Sequence, residues 1–256
     1  MRNFGENENL VSIVVPVYQV ERFIEETIDA VQKQSYENWE LILVDDCSKD
    51  RSCEVIEKMI LADGRIKLIR QKTNQGAANS RNVGVSNAKG RFLCFLDSDD
   101  LWEPQKLKKE LLFLQSKNAG FVFTSYEFAD EQGKGLGKIV RVPQEISYSE
   151  ALKNTTIFTS TVMIDRGKIE DEDILMPLIA SEDTATWWHL LKKYGKAYGL
   201  DENLVKYRRS ANTLSSNKIE AVKRIWNLYR KQEKLNIFYS AYCMCFWALR
   251  AVLRRV

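Results

Sequence analysis

Residues 11–44 read VSIVVPVYQVERFIEETIDAVQKQSYENWELILV, and this stretch decides the fold. VSIVVPV (residues 11–17) and ELILV (residues 40–44) are short apolar runs rich in β-branched side chains, while Ile24, Ile28 and Val31 between them recur at helical spacing. Two buried strands joined by a helix make a βαβ unit. Further along, Ser48 is placed to cap a helix that Asp63 and Gly64 end, residues 66–69 read as a third strand, and residues 76–87 read as a helix of small residues closed near Gly90. FLCFL (residues 92–96) is a fourth buried strand, Pro104 suits the first turn of another helix, and residues 121–126 return as strand. Crossovers of this length imply an α/β fold with a mostly parallel, doubly wound sheet. Beyond about residue 130 the periodicity weakens, although residues 159–164 read as strand and residues 182–194 as helix.

Composition narrows the chemistry. A chain of 256 residues, 45% hydrophobic and 29% charged, fits one α/β domain with a short appendage and excludes disordered and fibrous classes. The single histidine, His189, excludes a multi-histidine zinc or haem site, so any metal must be held by carboxylates. Five cysteines with no CxxC spacing and no leader segment argue against a disulfide framework and lead us to expect a reducing cytoplasmic compartment. Residues 218–256 carry nine lysines and arginines against two glutamates, a net +7, which leaves the preceding 217 residues at −4. A nucleic-acid binder spreads its basic residues over the folded domain. A tail meeting an anionic membrane surface is the better expectation, and no nucleic-acid partner is expected.

In sheets of this kind chemistry gathers beyond the carboxyl ends of the strands. Asp45 and Asp46 follow the strand LILV, and Asp97-Ser98-Asp99-Asp100 follows FLCFL. Carboxylates this close repel one another unless a cation or bound donors offset the repulsion. Oxygen ligands on a loop suit Mg²⁺ or Mn²⁺ bridging a diphosphate. The alternative is a solvated acidic turn capping the helix that starts at Pro104.

Together, VSIVVPVY, EETIDAVQKQSY, ELILVDDCSKD, NQGAANSRNVGVSNAKG, FLCFLDSDDLW and SEDTATWW resemble, in order, the motifs of the family 2 glycosyltransferases. These have the GT-A nucleotide-diphosphosugar transferase fold with inverting chemistry, and the resemblance, over about residues 10–210, is to the bacterial surface-polysaccharide branch. It implies that Pro16, Tyr18 and Asp46 form a nucleoside pocket, an aromatic face stacking on uracil and a carboxylate accepting its imide N–H. It places Gly76 and Arg81 near the nucleotide, where exposed backbone N–H groups and a guanidinium would meet phosphate. Asp97, Ser98 and Asp99 match the DxD element, with Asp99 on the metal and Asp97 toward ribose or the metal's water shell. Arg208 or Arg209, in the segment YRRSANTLS (residues 207–215), is expected at the donor diphosphate. Tyr18 also fits a core position at a strand end, Arg81 a solvated helix face, and Asp100 a cap for the next helix.

The acceptor hydroxyl needs a base. Glu182 and Asp183 open the run TATWWHLLKKY at a helix start, where the dipole favours negative charge. The family resemblance makes Asp183 the general base of a single displacement, whereas Ser181, Glu182 and Asp183 on their own read as a helix cap. His189 reads as a partly buried structural residue, and Trp187 and Trp188 as an acceptor platform or core. The domains expected are a tail (1–9), a GT-A catalytic domain (10–216) and C-terminal helices (217–256). LNIFYSAYCMCFWAL (residues 235–249) is apolar almost all round but only about 22 Å long as helix, too short to span a bilayer. It should lie on the inner membrane face beside Arg250, Arg254 and Arg255, or fold back on the body, or form a homodimer seam. Every expected site residue precedes Ser210, so removing the tail is expected to separate membrane binding from chemistry. The resulting expectation is a metal-dependent enzyme moving sugar from a UDP-sugar to a lipid-linked glycan. Alternatives are a polyprenyl-phosphate glycosyltransferase, whose acceptor needs no base, and a phosphoacceptor receiver, which is about half this length and starts with its acidic strand.

Overall fold

The computed structural model describes residues 4–209 and 218–253. The first half alternates strand and helix as β1 (Val11–Val17), α1 (Ile24–Gln32), β2 (Trp39–Asp45), α2 (Ser52–Ala62), β3 (Ile66–Arg70), α3 (Ala77–Asn87) and β4 (Phe92–Phe95). The second half holds β5 (Leu101–Trp102), α4 (Lys106–Ser116), β6 (Phe121–Ala129), β7 (Gly135–Val140), β8 (Glu145–Ser147), α5 (Tyr148–Ala151), a 3-10 turn (Thr159–Thr161), β9 (Val162–Asp165), α6 (Asp171–Ile174), α7 (Glu182–Tyr194) and β10 (Lys196–Arg208). After it come α8 (Lys218–Asn227), a π turn (Leu228–Gln232) and α9 (Ile237–Leu253).

One sheet runs β3-β2-β1-β4-β9-β6-β10-β5, with β7 beside β6 and β8 beside β10. β3, β2, β1 and β4 are parallel, β9 enters antiparallel, and β10 lies parallel to β6. The βαβ expectation therefore holds through β4, and the sheet becomes mixed beyond it. β1 has parallel neighbours at both edges and a core packed against each face, so its sequence is apolar without alternation. Val14, Ile42, Leu93 and Phe95 face one core, while Ile13, Val15, Leu41, Leu43 and Cys94 face the other.

Several boundaries differ from the sequence reading. Helix α2 starts at Ser52, not near Ser48, because Asp50 accepts from the Ser52 N–H at 3.1 Å and from its hydroxyl at 2.6 Å, ordering the turn just before the helix. Pro104 precedes α4 by two residues, and residues 159–161 form a turn with strand only from Val162. Phe4 is buried, and the Tyr36 hydroxyl donates to the Asn9 carbonyl at 2.5 Å, so the N-terminal segment is pinned to the body.

The C-terminal helices join the first core. Ile225, Leu228, Tyr229, Cys243 and Trp247 pack in one cluster with Trp187 and Trp188. Tyr229 stacks on Trp188 with ring centroids 5.3 Å apart and rings 3° from parallel. Trp247 donates from its indole nitrogen to Thr155 at 2.9 Å. The outer face of α9 exposes Phe238, Tyr242, Phe246 and Leu249. Among the described residues no helix is long and apolar enough to cross a membrane; Arg254 and Arg255 lie outside them.

Helix α3 approaches β1 closely enough that a Cβ on Gly84 would stand 2.2 Å from Val14 Cγ1. Gly84→Ala should cost about 1–3 kcal/mol by overpacking. Combining it with Val14→Ala should return about 0.5 kcal/mol or more as coupling energy. Urea denaturation of the four members of the cycle measures both, and strict additivity would contradict the close approach.

Candidate active site

A cleft of about 700 Å³ opens beyond the carboxyl ends of β1, β2 and β4. Pro16 and Tyr18 line it from the end of β1, and the Tyr18 side chain is half exposed, which leaves its ring available for stacking. Asp46 also lines the cleft but is buried, and its carboxylate is engaged. Oδ1 accepts from the Gln75 N–H at 2.7 Å and from Gln71 Nε2 at 3.0 Å, and Oδ2 accepts from the Gly76 N–H at 2.7 Å. Asp46 thus fixes the turn that feeds α3. Gly76 sits there at φ +86°, a conformation that L side chains rarely adopt.

Arg81 projects from α3 into the floor of the cleft. Its Nη2 donates to Asp97 Oδ1 at 2.6 Å and its Nη1 to Glu182 Oε1 at 2.8 Å. Burial alone would pull the guanidinium pKa down, but Asp97 and Glu182 outweigh it and the net shift is upward. In this state Arg81 is therefore neither a solvated helix-face residue nor turned outward to a phosphate; it joins the strand-end acidic loop to the start of α7.

The four residues of that loop have different partners. Ser160 Oγ accepts from the Asp97 N–H at 3.0 Å and donates to Asp100 Oδ2 at 2.6 Å, while the Arg208 N–H donates to Asp100 Oδ1 at 3.1 Å. Asp100 is fully buried, and burial followed by repulsion from Asp99 and Asp97 lifts its pKa well above the carboxylate range. It is a bracing residue, not a cap, since α4 begins only at Lys106. Ser98 lines the cleft, and its carbonyl accepts from Thr27 Oγ1 at 3.0 Å. Asp99 faces the cleft with its pKa pushed up to about 6, first by burial and then by the charge of Asp97. This carboxylate raised by a like-charged neighbour is what a cation would relieve. Asp97 and Asp99 supply oxygen only, and no group of three or more candidate protein ligands occurs among the described residues. The donor set therefore fits Mg²⁺ or Mn²⁺ completed by phosphate oxygens and water.

Across the cleft, Ser181 takes a left-handed conformation at φ 59° and launches α7. Asp183 Oδ2 accepts from Thr159 Oγ1 at 3.1 Å and Oδ1 from the Thr184 N–H at 2.6 Å, which orients the carboxylate in the cleft wall. Burial, and then Asp183, raise the Glu182 pKa against the opposing pull of Arg81.

Not every expected residue reaches the cleft. The Arg208 side chain is buried elsewhere, with Nη2 on Glu26 Oε2 at 2.6 Å, Nη1 on the Glu131 carbonyl at 3.0 Å and the guanidinium 4.7 Å over Phe23. Arg209 lies over Phe128 at 5.0 Å. The rest of that segment, residues 210–215, lies outside the described residues. Trp187 and Trp188 are buried in the core and cannot form an acceptor platform. His189 is exposed and paired with Asp173 Oδ1 at 2.8 Å through Nε2, so it is not the partly buried residue expected. The sequence reading missed Thr159 and Ser160, hidden in a stretch that looks like strand, and also Tyr207. It likewise missed Arg224 and Trp247, which bring the C-terminal helices into the cleft wall.

A half-exposed aromatic at a strand end, an acidic strand-end loop and a carboxylate across from it share one cleft, as a nucleotide-sugar transferase requires. The profile described as "Glycosyl transferase family 2" matches residues 12–172, and the chain belongs to that family. It is 41% identical over 248 residues to TuaG of Bacillus subtilis, a glycosyltransferase named for a role in teichuronic acid biosynthesis, covering 96% of this chain and 98% of that protein. It is 37% identical over 224 residues to WfgD of Escherichia coli, named UDP-Glc:alpha-D-GlcNAc-diphosphoundecaprenol beta-1,3-glucosyltransferase, covering 87% and 86% of the two chains. Its fold matches TarS 1–349 of S. aureus in complex with UDP-GlcNAc, at TM-score 0.69 and 21% identity, covering 93% and 71%. It also matches the mannosyltransferase PcManGT of Pyrobaculum calidifontis in complex with GDP-Man and Mn²⁺, at TM-score 0.71 and 16% identity, covering 93% and 73%. The fold is thus the GT-A fold.

Arg81→Met should strand two carboxylates and lower stability at pH 7 by about 3–5 kcal/mol. Without the guanidinium, Glu182 is raised further above its unfolded value, so the folded variant binds a proton more readily than the unfolded chain. The deficit should therefore shrink as pH falls from 7 toward 5. Urea titrations across that range check it; a deficit independent of pH would contradict the role given to Glu182.

Proposed function

We propose that the chain transfers a sugar from a UDP-sugar, with inversion, to a hydroxyl of a lipid-diphosphate-linked glycan in bacterial surface-polysaccharide assembly. The observation that carries this is the placement of Asp183, oriented by Thr159, across one cleft from Asp97 and Asp99. The names of the relatives TuaG and WfgD support the substrate class. In this reading Tyr18 and Pro16 hold the base, and Asp46 keeps the turn at Gly76 in place beside it. Asp99, assisted by Asp97, holds Mn²⁺ or Mg²⁺, which when bound offsets the charge that builds on the departing diphosphate. Asp183 takes the acceptor proton as the new bond forms. A phosphate acceptor would leave Asp183 without a task.

Two substitutions separate these roles. Asp99→Ala should abolish Mn²⁺-dependent UDP binding in calorimetry. Asp183→Asn should leave UDP affinity near the parental value and lower transfer by about 10²-fold or more. Parental transfer by Asp183→Asn would overturn the base assignment and favour a phosphate acceptor.

The same proposal places the enzyme peripherally on the inner face of the cell membrane. Phe238, Tyr242, Phe246 and Leu249 form the outward stripe of α9, and the tail carries the +7 charge that attracts anionic lipid. The protein should float with anionic vesicles, and salt should weaken the binding. Replacing Phe238 and Phe246 by Glu should release it. A dimer in solution that ignores vesicles would instead make the stripe a subunit seam.

A further inference from the structure

Helices α8 and α9 do more than cover the body. Ala221, Arg224 and Ile225 of α8 and Trp247 of α9 line the same cleft as Asp99 and Asp183. Their position within it follows from what they pack on. Tyr229 stacks on Trp188 of α7, the helix that Asp183 opens, Ile225 and Leu228 belong to the same core cluster, and Trp247 is hydrogen-bonded to Thr155, which also lines the cleft. The nucleoside and acidic-loop walls come from β1, β2, α3 and β4. The C-terminal wall therefore adjoins the base side, where an acceptor must enter for its hydroxyl to meet Asp183.

The chemistry of this wall is specific. The arginines among the cleft residues are Arg81 and Arg224. Arg81 is held between Asp97 and Glu182. Arg224 stands on α8, its Nε donating to the Glu220 carbonyl at 3.4 Å, beside the apolar Ala221, Ile225 and Trp247. A guanidinium set in an apolar wall suits a ligand that joins a diphosphate to a hydrocarbon chain.

We infer that α8 and α9 form the acceptor subsite, with Arg224 binding the diphosphate of a lipid-diphosphate-linked acceptor and Ala221, Ile225 and Trp247 meeting the first part of its chain. The inference rests on the substrate class proposed above and assigns it to named residues. It also means that the C-terminal segment is part of the catalytic cleft and not a detachable anchor.

Calorimetry with farnesyl diphosphate tests it in the full-length protein saturated with UDP, so that the donor's own diphosphate site is filled. The parent should bind farnesyl diphosphate, Arg224→Gln should bind it about 10- to 100-fold more weakly, and Arg224→Lys should fall between. Binding of farnesol, which lacks the diphosphate, should not distinguish the variants. Ala221→Leu, which narrows the wall without touching the charge, should also weaken farnesyl diphosphate and keeps the test decisive if Arg224→Gln does not fold. Equal farnesyl diphosphate affinity in parent and Arg224→Gln would overturn the inference, as would its failure to bind the parent. A parallel loss of UDP affinity would move Arg224 to the donor. If no nucleotide binds the parent at all, the proposed function fails, while the farnesyl diphosphate comparison still reads Arg224 directly.

Discussion

The cleft depends on one buried cation. Arg81 holds Asp97, sixteen residues away at the end of β4, and Glu182, 101 residues away at the start of α7. Burying a guanidinium is costly, and two carboxylates at hydrogen-bond distance offset that cost although Nε has no hydrogen-bond partner. The anions gain equally, since the acidic loop and the Glu182-Asp183 pair would otherwise face each other across low-dielectric space. The cleft wall that carries Asp97 and the one that carries Glu182 and Asp183 are therefore joined by a charge that belongs to the protein itself.

Around that clamp, the acidic loop shows how one short sequence yields unlike carboxyl groups. Asp97 is balanced by Arg81, and Asp100 is sealed in the interior by Ser160 and the Arg208 amide. Asp99 alone of the three carboxylates has its pKa brought to about 6 at the cleft surface. The turn Thr159–Thr161 ties this loop to the start of α7, because Ser160 holds Asp97 and Asp100 while Thr159 holds Asp183. Neighbouring hydroxyls thus position groups on both sides of the cleft.

The sequence was most legible where a single rule governs burial. Through β4 the strands form a parallel ladder in which β1, β2 and β4 are buried along nearly their whole length, so continuous apolar runs and helical spacing locate the elements, and the acidic residues fall at strand ends. Beyond residue 130 the strands are short: β7 folds straight back on β6 through the turn at Asp130–Lys134, while β8 pairs with β10 far along the chain, Ser147 opposite Lys196, and local pattern carries no trace of that second pairing. Thr159 and Ser160 were unreadable for a related reason, as their roles come from contacts 24 to 63 residues away. The resemblance put Arg208 or Arg209 at the donor diphosphate, but a motif match gives position and not side-chain direction, and the Arg208 guanidinium lies on Glu26 and the Glu131 carbonyl. The tail, apolar almost all round, was read mainly as a membrane element, whereas one side of α9 packs on the body and another lies exposed.

The turn at Thr159–Thr161 also bears on how the molecule assembles. β1 pairs with its sequence neighbour β2, and such local ladders close small loops. The contacts that define the cleft span 60 residues from Ser160 to Asp100, 101 from Arg81 to Glu182 and 108 from Asp100 to Arg208. Each must overcome the entropy of a long loop before it contributes anything. Like the β1–β4 ladder behind it, which joins Val11 to Phe92, the substrate-facing surface cannot form from local contacts and needs distant parts of the chain to meet.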